Sequence, residues 1–510
     1  MSTWEEWAIT IAVFLPLAGA AVIALMPKGN ERAIKAMGIV ITGAAMAVAL
    51  AMLPGFDHSR PEDLQFTVDV SWISAIGARY HVGVDGISLA LFELTFILSF
   101  LCAIYTWRYL PKPGNPKAFL ALVLLLETGM AGTFIAFDLI LFFVFWELVL
   151  VPMYFLIAVW GSANREYAAV KFFLYTLFGS VFMLLGFLGL YFNSPGPHTF
   201  DIQALTEFGQ SGGFSHSFQM IAFLAVFLGF AIKVPMFPFH TWLPDAHTEA
   251  PTVGSVLLAG ILLKMGTYGF VRIAMPMLPE AAKAWAPWIG LLAAVAIIYA
   301  SLACLAQKDL KRLIAFSSVG HMGFVMLGVA TLTTAGINAA IFGMVAHGVI
   351  TGMLFFCVGS IYDRYHTRQI SEIGGGLLLK APKLAGIFAL VSIASLGLPG
   401  LAGFWGEFGS LFAAFSPAEG LSVVWFRTLM VMGSIGTVLT AGYFLWMLQR
   451  VNLGTVPERW AGTDIPDLSP VEWTSWLPLV IAVVVLGVLP GIIFDTTTDA
   501  VSALYQVFGG

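Results

Sequence analysis

Apolar runs of roughly twenty residues recur along almost the whole chain, separated by short polar breaks. A helical run of that length crosses the hydrocarbon core of a bilayer. The pattern predicts helices near 6–26, 33–53, 85–107, 117–136, 138–160, 168–192, 218–239, 251–275, 285–306, 312–333, 336–361, 383–403, 425–448 and 473–494. The expected architecture is therefore all-α: a polytopic membrane protein of about 14 transmembrane helices, forming one membrane domain over 1–510. Only Phe137-Asp138 divides the fourth helix from the fifth, and Asp138 reads there as a turn and helix cap. The loops 54–84 and 193–217 contain short alternating stretches such as FTVDVSW, a pattern that suits small hairpins.

The loop charges test the count. Alternate loops, beginning with the one that holds Lys28, Arg32 and Lys35, carry seventeen of the 24 Lys and Arg residues. A miscounted span would scramble that bias. By the positive-inside rule these loops face the cytoplasm and both termini lie outside, which for a bacterial chain means the inner membrane with periplasmic termini. A signal peptide would need a positively charged start. MSTWEEW has Glu5 and Glu6 instead, so the first helix is expected to stay as an anchor.

Two of the predicted helices are interrupted. In the seventh, Pro235 and Pro238 follow Lys233. In the twelfth, Gly397, Pro399, Gly400 and Gly403 precede Glu407. Proline removes an intrahelical bond, and the freed carbonyls need polar partners or water. Broken helices in corresponding places of two halves point to an inverted repeat with an ion path between them. The two breaks lie five spans apart, and an odd offset reverses orientation. The repeats are expected over 117–275 and 285–448.

Composition narrows the function. The chain is 59% hydrophobic and 10% charged with mean hydropathy +0.90, too few charges to cover a soluble protein of this length. A net charge of −5 without a basic stretch gives nucleic acid no footprint. Cys102, Cys304 and Cys357 are isolated, and no glycine-rich nucleotide motif opens a helix after a strand. Lipid and other membrane proteins are the natural surroundings.

Against that background the ionisable residues inside apolar helices stand out. Lys233 and Lys264 each follow a dozen or more apolar or small residues, and a lysine near the bilayer centre costs about 2.5–3.5 kcal/mol. Glu147 lies within LILFFVFWELVLVPMYFLI, where a nearby Lys233 would keep both groups charged. His321 and His347 can each accept and donate a proton near neutral pH, which suits a relay. Glu407 follows the twelfth-helix break and could exchange protons with water. The competing readings are helix-locking ion pairs, core histidines and interfacial charges. The segment His240, Asp245, His247 and Glu249 reads either as a lead-in toward Lys233 or as a solvated loop. Glu93 and Glu127 are further acidic residues at membrane depth, without an assigned role.

FWELVLVPMYFLI, KVPMFPFHTWLPDAHTEAPTVGSVLLAGILLKMGTYG, KDLKRLIAFSSVGHMGF and LPGLAGFWGEF resemble the antiporter-like subunits of respiratory NADH:quinone oxidoreductase, complex I, over essentially the whole chain. The glutamate at 407 is similar to that of the M branch, since the L and N branches carry lysine there. The resemblance implies that Glu147 and Lys233 form the input ion pair, that Lys264 is the central relay bridged by His321 and His347, and that Glu407 is the outlet. It also implies that FMN, iron–sulfur clusters and quinone belong to other subunits, with no cofactor in this chain, and that the partners are the other membrane subunits of the complex. A subunit of a multisubunit cation/proton antiporter and a non-conducting structural subunit are the alternatives.

Overall fold

The computed structural model describes residues 3–509. Thirteen helices among them are long and apolar enough to cross a membrane: Trp4–Leu25, Glu31–Gly55, Leu89–Thr106, Pro116–Ile135, Leu139–Trp160, Arg165–Asn193, His216–Lys233, Thr252–Met277, Pro279–Ala306, Leu310–Ala330, Thr334–Tyr365, Val423–Val451 and Pro470–Val488. The twelfth expected helix is two shorter ones, Pro382–Ser395 and Gly403–Phe415. Counting that pair as one interrupted span between Thr334–Tyr365 and Val423–Val451 gives fourteen among the described residues, numbered here in chain order.

Both predicted breaks are real. The seventh span stops at Lys233 rather than running to 239, and helix resumes at Trp242–Glu249. Trp242 Nε1 donates to the carbonyl of Ile232 at 2.9 Å, giving one freed acceptor a partner at membrane depth. The twelfth span stops at Ser395 rather than 403. Gly397 and Gly400 hold φ of +74° and +91° in the connection, a region glycine enters at little cost. The fourteenth span closes over this break: Ala402 N–H donates to Val483 O at 2.9 Å and Trp405 Nε1 to Gly487 O at 2.8 Å.

Asp138 does cap the fifth span, accepting from the N–H groups of Ile140 and Leu141 at 2.9 and 3.1 Å. The loop 54–84 does form a hairpin, β1 Gln65–Ile73 paired antiparallel with β2 Ala78–Val84. The loop 193–217 instead carries a short helix, Ile202–Gln210. His81 of β2 and Asp201 ahead of that helix meet at 2.6 Å. Burial alone would raise the Asp201 carboxyl, but the bonds from His81 and the Ala204 N–H outweigh it and hold the group below the usual carboxylate range. At the same end Arg272 grips both Asp85 oxygens at 2.5 and 2.6 Å, a buried bidentate pair.

The spans are buried unequally. The most apolar windows of the eighth, tenth and eleventh spans are 94–100% buried within this one chain, whereas those of the first, second, sixth and thirteenth are only 33–39% buried. The eighth, tenth and eleventh carry Lys264, His321 and His347. These groups therefore face protein rather than lipid.

Candidate functional site

Lys264 sits on the most deeply enclosed helix. Two stretches of that span, Leu258–Leu262 and Phe270–Ala274, are wound as π-helix and bracket it. A π-turn widens the backbone and displaces the carbonyls from their usual partners. The lysine uses this: its ammonium donates back to the Ala259 carbonyl, five residues earlier. The same ammonium lies 2.6 Å from Nδ1 of His347. When Lys264 is an ammonium, which has only donors, His347 accepts through Nδ1 and its proton sits on Nε2.

Glycine makes this contact possible. A Cβ on Gly348, beside His347, would lie 2.8 Å from Gly260 O, so the eighth and eleventh spans touch through two glycines. One face over, Gly266 lets the eighth span meet the seventh, with its added Cβ at 2.9 Å from Phe230 O. The lysine helix is thus held between the broken seventh span and the histidine-bearing eleventh.

His321 and Glu407 form the second half of the constellation. His321 Nδ1 is 2.7 Å from Glu407 Oε1, and its Nε2 is 2.8 Å from Ser395 Oγ, at the last helical residue before the twelfth-span break. The rings of His321 and His347 have centroids 5.7 Å apart. Between them lies a cavity of about 30 Å³ bordered by both histidines, Thr351, Ser395 and Glu407. That volume accommodates a water molecule, which needs two to four polar partners. His347 Nε2, Thr351 Oγ1 and Glu407 Oε2 make no bond within the protein and can supply them. Lys264, His347, His321 and Glu407 thus form one line of ionisable groups with a single short gap.

Glu407 is aimed by backbone proximity. A Cβ on Gly406 would stand 2.5 Å from the Cα of Gly343, which no Cβ can do without moving a helix. On the other side, a Cβ on Gly397 would stand 3.1 Å from Glu407 Oε2, so that oxygen faces the break. Gly406→Ala is expected to push the twelfth span off the eleventh and open the His321–Glu407 contact. Proton transport by the assembled protein in sealed vesicles should fall severalfold; unchanged transport would show that the contact is not needed.

Lys233 and Glu147 stand apart from this line. Lys233 is buried at the end of the half-helix, its ammonium 4.9 Å over the ring of Trp146, a cation–π contact. Glu147 is the residue after Trp146 but is only half-buried. The two charged groups do not close an ion pair among the described residues. Trp146, whose Nε1 donates to Ser180 Oγ at 3.0 Å, takes the place beside the lysine.

The segment 240–249 is a buried helix end, so the solvated-loop reading does not hold. Asp245 pairs with Lys171 at 2.7 Å, and Glu249 accepts from the N–H of Asn164 at 3.0 Å. Those two residues clamp the helix. His247 is fully buried and stacks on Phe355 with both ring nitrogens unpartnered. Glu93 and Glu127 are also buried without hydrogen-bond partners and lie outside the line.

Sequence reasoning missed Ser395, Thr351 and Lys311. Ser395 and Thr351 look like ordinary small polar residues of apolar helices, and only the fold brings them to the cavity. Lys311 reads as a loop charge in KDLKRL, yet it is buried and donates to the Ala250 carbonyl.

The profile of the family described as "NADH:quinone oxidoreductase/Mrp antiporter, TM" matches residues 136–440, a stretch that includes all six of the predicted site residues. The chain belongs to that family. It is similar to NADH-quinone oxidoreductase subunit M of Rhodobacter capsulatus, with 41% identity covering 98% of this chain and 96% of that protein. NADH-ubiquinone oxidoreductase chain 4 of Arabidopsis thaliana is 39% identical over 97% and 96% of the two chains. Among solved structures, a chain of respiratory complex I from Thermus thermophilus superposes with a TM-score of 0.87 at 30% identity, covering 98% of this chain and all of that one. A chain of the Mrp complex from Dietzia superposes with a TM-score of 0.84 at 20% identity over the full length of both, a likeness of fold.

Proposed function

We propose that protons pass through this chain along Lys264, His347, His321 and Glu407, with Lys233 and Glu147 as the charge switch that starts the transfer. The protein is a membrane subunit of NADH:quinone oxidoreductase and works beside other antiporter-like subunits. The carrying observation is the pair of short contacts, 2.6 Å from Lys264 to His347 and 2.7 Å from His321 to Glu407, flanking one water-sized cavity inside the most enclosed spans.

The chemistry follows from the donors. The Lys264 ammonium gives its proton to His347 Nδ1 while the Nε2 proton leaves into the cavity. His321 gives its Nδ1 proton to the Glu407 carboxylate and is refilled on Nε2 through Ser395 and the cavity. The neutral glutamic acid then faces the break at Gly397. Each step keeps one proton on the line, and none needs a cofactor in this chain; flavin, iron–sulfur clusters and quinone are assigned to other subunits. The switch is electrostatic. A charge arriving near Glu147 changes its hold on Lys233, and the ammonium on Lys233 repels that on Lys264. The work per proton is about 2.3 kcal/mol per 100 mV of membrane potential, comparable to pKa shifts of two units at ~1.4 kcal/mol each.

The seventeen-residue bias of Lys and Arg supports an orientation with that end in the cytoplasm and both termini outside, in the bacterial inner membrane. Spans 4–8 and 9–13, over 117–275 and 285–448, are the two inverted repeats in this reading, since the breaks lie five spans apart. The 41% identity to subunit M chains, against 20% to the Mrp chain, favours redox-coupled pumping over cation exchange.

Glu407→Gln tests the reading. Glutamine preserves size and can still bond His321 but cannot take up a proton. NADH-driven acidification of sealed inverted vesicles should fall roughly tenfold, ~1.4 kcal/mol of barrier. Full pumping by the assembled complex would remove Glu407 from the path.

A further inference from the structure

The eighth span departs from the α-helix twice, and a side chain holds each departure. In Leu258–Leu262 the carbonyl of Ala259 accepts from the Lys264 ammonium. In Phe270–Ala274 the carbonyl of Val271 accepts from the Tyr505 hydroxyl at 3.0 Å. A π-turn contains one residue more than the α-helical turn it replaces, and an α-helix turns by about 100° per residue. If the second π-turn were drawn out into α-helix, Lys264 would rotate by about that angle relative to the end of the span. The 2.6 Å contact with His347 does not survive such a rotation. A grip at the hairpin end of the span therefore has to set the angle.

Arg272, in the middle of the second π-turn, supplies that grip. It is 5% exposed, and one guanidinium nitrogen lies 2.5 and 2.6 Å from the two oxygens of Asp85. Its Nε donates to the Tyr268 hydroxyl at 3.3 Å, and that hydroxyl donates to the Phe134 carbonyl at 3.0 Å, near the end of the fourth span. The guanidinium also stands over the rings of Phe137 and Tyr268, 5.0 and 5.6 Å from their centroids.

The anchors are themselves fixed. Asp85 Oδ1 accepts from the N–H groups of Ile87 and Ser88 at 3.1 and 3.0 Å, in the turn that opens the third span. The next residue, Gly86, lies against the helix Gly491–Tyr505, where an added Cβ would stand 2.1 Å from Thr496 O. That same helix carries Tyr505. Arg272 thus ties the eighth span to a frame built from the start of the third span, the end of the fourth and the helix Gly491–Tyr505. Stability alone does not account for the buried pair. Apolar side chains of similar volume are often at least as stable as a buried ion pair, and fixing register is the best-attested use of one.

We propose that Arg272, held by Asp85, is a positioning residue for proton transfer: it sets the rotation of the eighth span at which the Lys264 ammonium meets His347 Nδ1. This rests on the proton path described above and adds the device that aims its first donor. Lys264 lies eight residues from Arg272, about 12 Å along the helix. Among the described residues the bonds of Arg272 go to Asp85 and Tyr268, and none goes to Lys264 or His347. The guanidinium acts through the backbone between them, by keeping the second π-turn wound.

The test uses the assembled complex in sealed inverted vesicles. NADH-driven acidification and quinone reduction are measured together, so that a smaller amount of assembled protein leaves their ratio unchanged. Arg272→Gln combined with Asp85→Asn removes both buried charges at once and keeps an acceptor for Ile87 and Ser88, but the shorter amide no longer bridges to the third span. Protons pumped per electron are expected to fall about tenfold, since small misplacements of reacting groups have effects of that order. A role confined to stability predicts full pumping from this neutral pair, because no charge is left unpaired. Arg272→Lys, whose single nitrogen can reach both Asp85 oxygens as the guanidinium nitrogen does, should keep most of the pumping, and Arg272→Met should not. Tyr505→Phe, which loses only the bond to Val271, should lower the ratio about twofold, and it decides alone if the neutral pair fails to assemble. An electron cryo-microscopy structure of whichever variant pumps poorly should show the Lys264 ammonium turned off His347; an unmoved contact would overturn the positioning role. Lys264→Met is the control. If it stops pumping while the neutral pair and Tyr505→Phe both pump fully, Arg272 does not aim the lysine and the inner path stands. If Lys264→Met also pumps fully, the inner path itself is wrong.

Discussion

Lys264→Met is expected to abolish proton pumping while the protein still inserts, folds and assembles. Methionine nearly matches the length and apolar stem of lysine, so the enclosed helix keeps its packing. The substitution also removes a fully buried ammonium, whose placement at membrane depth costs about 2.5–3.5 kcal/mol. Replacing buried charge by an apolar side chain of similar volume is often neutral or stabilising, so the variant's thermal stability in detergent should equal or exceed that of the parent. Among the described residues, the lost partners are the Ala259 carbonyl and His347 Nδ1. Function takes the whole effect, because methionine holds no proton and, among the described residues, no other group bonds His347 Nδ1. The measurement is acidification of inverted vesicles driven by NADH, alongside unfolding of the purified complex. Lost stability with normal pumping would mean that the lysine is a structural ion and not a carrier.

Lys233→Ala should stop pumping as well, for a different reason. Lys233 does not lie on the hydrogen-bonded line; it ends the half-helix of the seventh span with its ammonium over Trp146. In the proposed path it acts on Lys264 through charge. Like charges held in the low-dielectric interior repel, and that repulsion biases which lysine keeps its proton. Alanine removes that influence and leaves Lys264 permanently protonated. Pumping is expected to drop more than tenfold, and Lys233→Arg should not rescue it, since guanidinium does not release its proton. Rescue by arginine would show that a fixed charge is sufficient and that Lys233 never deprotonates.

In the proposed path the two lysines play different parts. Trp146 stands beside Lys233 where Glu147 was expected, and Glu147 remains half-buried on the flank of the molecule. A carboxylate so placed can respond to a charge outside this chain, and the lysine then responds to the carboxylate. Lys264 is fully buried, and its ammonium bonds the Ala259 carbonyl and His347 Nδ1.

Much of this was legible along the chain. The fourteen spans follow from apolar run length, because a helix must be about twenty residues long to satisfy its backbone across hydrocarbon. Both breaks follow from Pro235 and Pro238 and from the Gly-Pro cluster at 397–403, because those residues cannot continue a helix. The candidate groups follow from cost: Lys233, Lys264, Glu147, His321, His347 and Glu407 are expensive in an apolar run, and an expensive residue needs a reason.

Which of those groups touch was decided only by the tertiary structure. Nothing in the spacing pairs His321 with Glu407, 86 positions away, or Lys264 with His347, 83 away. Glycine-on-glycine approaches at 260/348 and 343/406 bring their helices together, and a glycine's partner across an interface leaves no mark on the sequence. The π-turns around Lys264 are likewise invisible in a run of apolar residues. Lys311 and His247 were the hardest to read, since a charge beside a loop looks solvated until the fold closes over it. Sequence names the residues that are costly to bury; packing alone determines which of them share a proton.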